Sequence, residues 1–178
     1  IGAATGTSLS LTGALAGGPS ITIGTGADGA ETSDSGVWTN GTLIITRYLI
    51  DLTNLVGSTT DLDIIGESAA ANANFGQFTT AVNGVFTGGR VTCLEVPAGG
   101  VTDIDFYSAT VATGTENGLI TDLTETALLT RGAAWASGDV KGFTAAIPAN
   151  DYLYIVNGAG GVPGTFTAGK FLIEIFGT

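Results

Sequence analysis

Histidine and methionine are absent from the 178 residues, cysteine occurs once, and lysine and arginine together number five. Each absence excludes a class of chemistry. Without histidine no Ser-His-Asp constellation can form, and the commonest general base and metal ligand is missing. With Cys93 alone, no disulfide can close within the chain, and its place in Val91-Thr92-Cys93-Leu94 reads as a small buried hydrophobe. Five cations against sixteen carboxylates leave a net charge of −11. Such a balance argues against nucleic acid and anionic membranes, because phosphate neutralisation needs Lys and Arg. Apolar runs such as Phe171-Leu172-Ile173 fall far short of the roughly 20 residues that span a bilayer. No basic, apolar leader pattern precedes the first strand signals, and a start at Ile1 without Met implies further chain before it.

Charge itself is scarce. Only 12% of residues are charged, although 44% are hydrophobic, whereas a solitary globule carries about a quarter charged residues. Much of the surface is therefore expected to lie against other chains in a closed homo-oligomer.

What is present is glycine, threonine and short β signals. Residues 1–40 are nearly all Gly, Ala, Ser and Thr, with alternating islands at Leu9 and Leu11 and at Ile21 and Ile23. Period-two alternation with few large side chains predicts an extended arm, whose apolar teeth, together with Trp38, are candidate interface residues. From residue 41 to 178 the signals are those of a compact β domain. Strands are expected at Leu43–Ile50, in two pieces between Phe75 and Val96, at Ile104–Val111, Phe143–Ile147, Tyr152–Val156 and Lys170–Phe176. Four Asn-Gly pairs, at Asn40, Asn83, Asn117 and Asn157, are hairpin signals. The stretch Thr121–Ala136 reads equally as a helix or as a pair of strands. Many short strands between turns make an antiparallel β-sandwich of jelly-roll type the expected all-β fold.

Three stretches imitate catalytic motifs. Gly24-Thr25-Gly26-Ala27-Asp28-Gly29 has the dinucleotide-binding spacing, but the following Glu31-Thr32-Ser33-Asp34 offers carboxylates where a phosphate-binding helix should begin. Gly164 to Lys170 approaches a P-loop, yet Phe171 stands where Mg²⁺ needs a hydroxyl. Gly66-Glu67-Ser68 resembles a nucleophile elbow with no histidine to serve it. A carboxylate-pair hydrolase stays open at this level, since carboxyl separations are not readable from sequence.

Two acidic groups are candidates for Ca²⁺: Asp61 and Asp63 with Glu67, and Asp103 with Asp105. On a strand residues i and i+2 share a face, so a cation could bridge them; solvated loop carboxylates are the alternative. No other cofactor is indicated. Trp38, Trp135, Tyr107, Tyr152 and Tyr154 could stack on sugar rings or, as the plainer use, pack in a core or interface. Asn40-Gly41-Thr42 is a formal glycosylation triplet.

The stretches Phe75 to Gly84, Val91 to Gly100, Asp103-Ile104-Asp105-Phe106-Tyr107-Ser108-Ala109 and Thr167 to Glu174 resemble small virion structural proteins of tailed bacteriophages, particularly those of marine and cyanobacterial hosts. The resemblance spans about residues 41–178 and rests on texture, with no motif from which functional residues carry over. It implies a decoration (cement) protein on the capsid surface, a trimer contacting the major capsid protein, with no enzymatic activity. A tail-fibre or spike component and a carbohydrate-binding β-sandwich module are the alternatives.

Overall fold

The computed structural model describes residues 21–30, 36–130, 132 and 134–178. Eleven strands are present among them: β1 (Gly36–Asn40), β2 (Leu43–Asp51), β3 (Val56–Gly57), β4 (Gly76–Gln77), β5 (Phe86–Ala98), β6 (Ile104–Ala109), β7 (Glu125–Ala127), β8 (Val140–Gly142), β9 (Tyr152–Asn157), β10 (Gly164–Thr165) and β11 (Ala168–Gly177). A five-stranded sheet runs β1-β2-β11-β5-β8, a four-stranded sheet runs β4-β9-β6-β7, and β3 pairs with β10. Every pairing is antiparallel.

Setting aside β1 and the small β3–β10 pair leaves eight strands. In chain order these occupy positions 1-8-3-6 in one sheet and 2-7-4-5 in the other, which is the double Greek key of a jelly roll. The all-β expectation and its jelly-roll topology both hold.

Alternation fixes which face of each sheet is inside. Tyr48, Ile50, Val91, Cys93, Phe171, Ile173 and Ile175 point inward from the five-stranded sheet and meet Ile104, Phe106, Leu153 and Ile155 of the other. Trp135 joins them edge-on to Phe106 and Phe171, and its Nε1 donates to the Ile104 carbonyl at 2.7 Å. The four-stranded sheet is buried on its far side as well. There Tyr107, Ala109, Tyr154 and Val156 are covered by Ile64, Ala73 and Ile120 from its own long loops, so all six residues of β6 are buried.

Several local expectations change. The sheet begins at residue 36, not 41, because β1 is a partner of β2 through a two-residue turn, Gly41-Thr42, with Gly41 at φ +64°. That positive φ at the first turn position suits a type II′ hairpin. Of the Asn-Gly pairs, Asn40-Gly41 alone makes a two-residue hairpin. Asn83-Gly84 ends a one-turn helix, α1 (Thr80–Asn83), where the buried Asn83 amide accepts from the Thr79 N–H and donates to the Thr46 hydroxyl. The described residues of Thr121–Ala136 hold neither a long helix nor a strand pair. A 3₁₀ turn (Ile120–Leu123) is stopped by Thr124 in the left-handed region, and only β7 follows as strand. The strand expected at Phe143–Ile147 lies three residues earlier as β8, and Phe143 instead stacks on Phe86.

Candidate functional site

The acidic candidates are engaged in holding loops. Asp61 accepts from the Gly160 N–H at 3.1 Å and Asp103 from the Ala159 N–H at 3.0 Å, so the two clamp one loop from opposite segments. Asp63 accepts the Ser58 hydroxyl at 2.6 Å. Asp105 is buried on β6, and Glu67 is half-buried. Among the described residues no three acidic or cysteine side chains gather as a metal site. A cleft of about 540 Å³ opens beside Ser58, Thr60, Asp63, Glu116 and Asn117; its Glu116 carboxylate accepts from the Ala69 N–H.

The aromatic candidates separate. Trp135 lies in the main core, Tyr107 and Tyr154 in the second core with Tyr152 packed against it, and Trp38 is 42% exposed. No stacking platform forms from them. Ile21 packs on the chain's own core and Ile23 is half-buried, while Leu9 and Leu11 lie outside the described residues.

The imitated motifs acquire structural uses. Gly24 and Gly26 let the 21–27 segment lie directly on 71–74, with hydrogen bonds from Gly24 N–H to Asn74 O (2.8 Å) and from Gly26 N–H to Asn72 O (3.2 Å). A Cβ on Gly24 would stand 1.9 Å from Asn72 O. Lys170 belongs to β11 and pairs with Asp51 and Glu95.

The feature that sequence reading missed, Trp38 aside, is the outer face of the five-stranded sheet. Strand register sorts it into rows running across the strands. Trp38, Ile45 and Phe176 form an apolar row; Arg47, Glu174 and Arg90 form the next. Leu49, Leu172, Thr92 and Val140 make a second, largely apolar row, and Asp51, Lys170 and Glu95 close the series. Glu174 sits at the centre, its side chain only 3% exposed, receiving Arg47 Nε at 2.9 Å and Arg90 Nε at 2.6 Å. The same arginines lie over aromatic rings, Arg47 at 5.4 Å from Trp38 and Arg90 at 5.9 Å from Phe176. Lys170 bridges Asp51 at 3.2 Å and Glu95 at 3.1 Å. Burial would raise the Asp51 carboxyl, but the Thr53 hydroxyl and N–H and the Lys170 ammonium together hold it below its ordinary value. Lys170 is correspondingly raised, chiefly by its bonds to Glu95 and Asp51.

Among the described residues Arg47, Arg90 and Lys170 stand on this face, balanced by three carboxylates. It is electrically neutral on a molecule that carries −11. Trp38, Leu94 and Val140 project from it, Val140 being 57% exposed. The only signal of this in sequence was period-two alternation in Ile45-Thr46-Arg47-Tyr48-Leu49 and Lys170 to Phe176, which names two faces without saying which partner each meets.

No protein-family model matches this sequence, and neither a curated protein nor a solved structure matches it.

Proposed function

We propose that the chain is a structural virion protein of the decoration class, which stabilises a capsid shell by contacts with the major capsid protein and with its own copies. The observation that carries this reading is the asymmetry of the two sheets. One is sealed on its far side by the chain's own loops, while the other keeps an outer face striped with apolar and neutralised charged rows. Exposed apolar side chains grouped on one face mark an interaction surface, and aromatic and arginine side chains are enriched at interfaces. Jelly rolls build capsid and lectin domains alike, so the fold supports the reading without deciding it. The loop-anchoring carboxylates and the absence of histidine favour a binding role over catalysis.

Quantitative mass spectrometry and imaging of the particle carrying this chain test the proposal. Copy numbers comparable to those of the major capsid subunit, with density on the shell exterior, support it. A handful of copies at the tail assigns the chain to a fibre or spike. Saturable binding on a glycan array, with no attachment to capsids, would make it a carbohydrate-binding module.

A further inference from the structure

The charged rows on the outer face are mirror images in sign. Across β2, β11 and β5, one row reads Arg47, Glu174, Arg90, and the other reads Asp51, Lys170, Glu95. The first is plus, minus, plus; the second is minus, plus, minus. Midway between them runs the row Leu49, Leu172, Thr92 and Val140. A half-turn about an axis along that middle row carries each position onto the same strand in the opposite charged row. Arg47 of one copy then faces Asp51 of another, Glu174 faces Lys170, and Arg90 faces Glu95, while the middle row meets itself. Every charge of the two rows meets its opposite, and Leu49, Leu172 and Val140 of the middle row meet their own copies.

From this we propose that the outer face of the five-stranded sheet pairs two copies of the chain about a two-fold axis lying along the Leu49–Val140 row. The inference deepens the reading of the chain as an assembly protein by naming the partner of this face as a second copy. Isologous pairing requires such self-complementarity, and here it is written into the strand register. Face-to-face sheets sit about 10 Å apart and within about 30° of alignment, a distance that arginine and glutamate side chains span from both sides. The alternative pairing, in which two such faces slide by one charged row, sets like charges opposite one another and is disfavoured. Elsewhere two copies at −11 each repel; at this face they do not.

Sedimentation velocity of the full chain, from low to high micromolar concentration, is the test. The wild type is expected to dimerise. Arg90→Glu sets Glu against the opposing Glu95, and Glu95→Lys sets Lys against the opposing Arg90, so each variant alone should lose at least about tenfold in self-affinity. An equimolar mixture of the two restores an attractive pair on each side of the axis at β5 and should recover a 1:1 heterodimer of near wild-type affinity. Val140→Asp, on an exposed edge-strand position where folding does not depend on the side chain, should abolish pairing by placing two carboxylates together at one end of the axis. A wild type that stays monomeric overturns the proposal, as does a trimer that Val140→Asp leaves intact, or a mixture that fails to rescue two folded variants. If Arg90→Glu does not fold, Val140→Asp decides alone. A dimer that passes these tests yet does not attach to capsids keeps the pairing and overturns the virion reading; a monomer that attaches does the reverse.

Discussion

Tyr154 shows how single polar groups hold this jelly roll together. Its hydroxyl, in the second core, donates to the Val111 carbonyl and accepts from the Gly114 N–H at 3.2 Å. Burial is the main cause that pushes its pKa up to about 12. Tyr154→Phe keeps the ring and strands both partners, so it should cost about 1–3 kcal/mol, read as a lower urea midpoint with unchanged slope. Asp151 presents the opposite case. Burial raises its carboxyl, against the pull of the Ser108 hydroxyl that donates to it at 2.8 Å. The folded chain therefore keeps a proton that the unfolded chain has already lost. Its contribution is full below about pH 4, the ordinary carboxylate value, and falls as pH rises through the raised folded value. Asp151→Asn preserves an acceptor for Ser108 and removes that fall. The variant should gain on the wild type between pH 3 and pH 7; an advantage that does not change with pH would contradict the assignment. Neither residue announced these roles in sequence. Tyr152-Leu153-Tyr154-Ile155 alternates and so marks a strand, but the hydroxyl's partners come from a loop some forty residues away.

At the level of elements, the strands with β-branched and aromatic alternation were legible: β2, β6, β9 and β11 lie where the pattern puts them. In β2 and β11 one face enters the core and the other stays outside, whereas β6 and β9 are covered on both faces. The two-residue strands β3 and β10 were not legible, since so short a run has no period and is held by its neighbours. The glycine pattern at Gly24 and Gly26 was visible as an imitated motif, but its structural use was not. It permits backbone-on-backbone docking of the 21–27 segment, completed by Glu67 N–H to Gly26 O at 2.7 Å and by the burial of Ala27. Gly24→Ala should therefore prise this segment off residues 72–74 without dissolving the sandwich. Hydrogen exchange should show the Gly26 and Glu67 amides losing protection while amides of β9 and β11 keep theirs. Uniform loss across all strands would instead make the segment part of the cooperative core. The same docking, with β1 in the sheet, means that a fragment starting at 41 would lack the cover over 71–74 and leave a β2 edge unpaired.

For the molecule as a whole, the decisive feature is where β11 lies. It pairs with β2 on one side and β5 on the other, over most of its length, and is the only described strand that joins them. Phe171, Ile173 and Ile175 point from it into the core and are almost wholly buried. At about 1.5–3 kcal/mol for each, their burial contributes roughly 5–9 kcal/mol before any ladder hydrogen bond is considered. That is comparable to the whole net stability of a typical domain, about 5–15 kcal/mol. Because β2 meets β11 across more than a hundred residues of sequence, folding rests on non-local pairing, which is slow and comes late. A chain ending at Thr167 should consequently fail to fold and show a coil-like far-UV spectrum. A synthetic peptide covering residues 168–178 should restore the β signal in trans by strand addition, since its slot between β2 and β5 is defined on both edges. The same peptide carrying Phe171→Asp and Ile173→Asp should not, because the ladder alone does not offset two buried carboxylates. Cooperative unfolding of the shortened chain without any peptide would mean that β2 and β5 close on each other directly, and that the core does not depend on the strand between them.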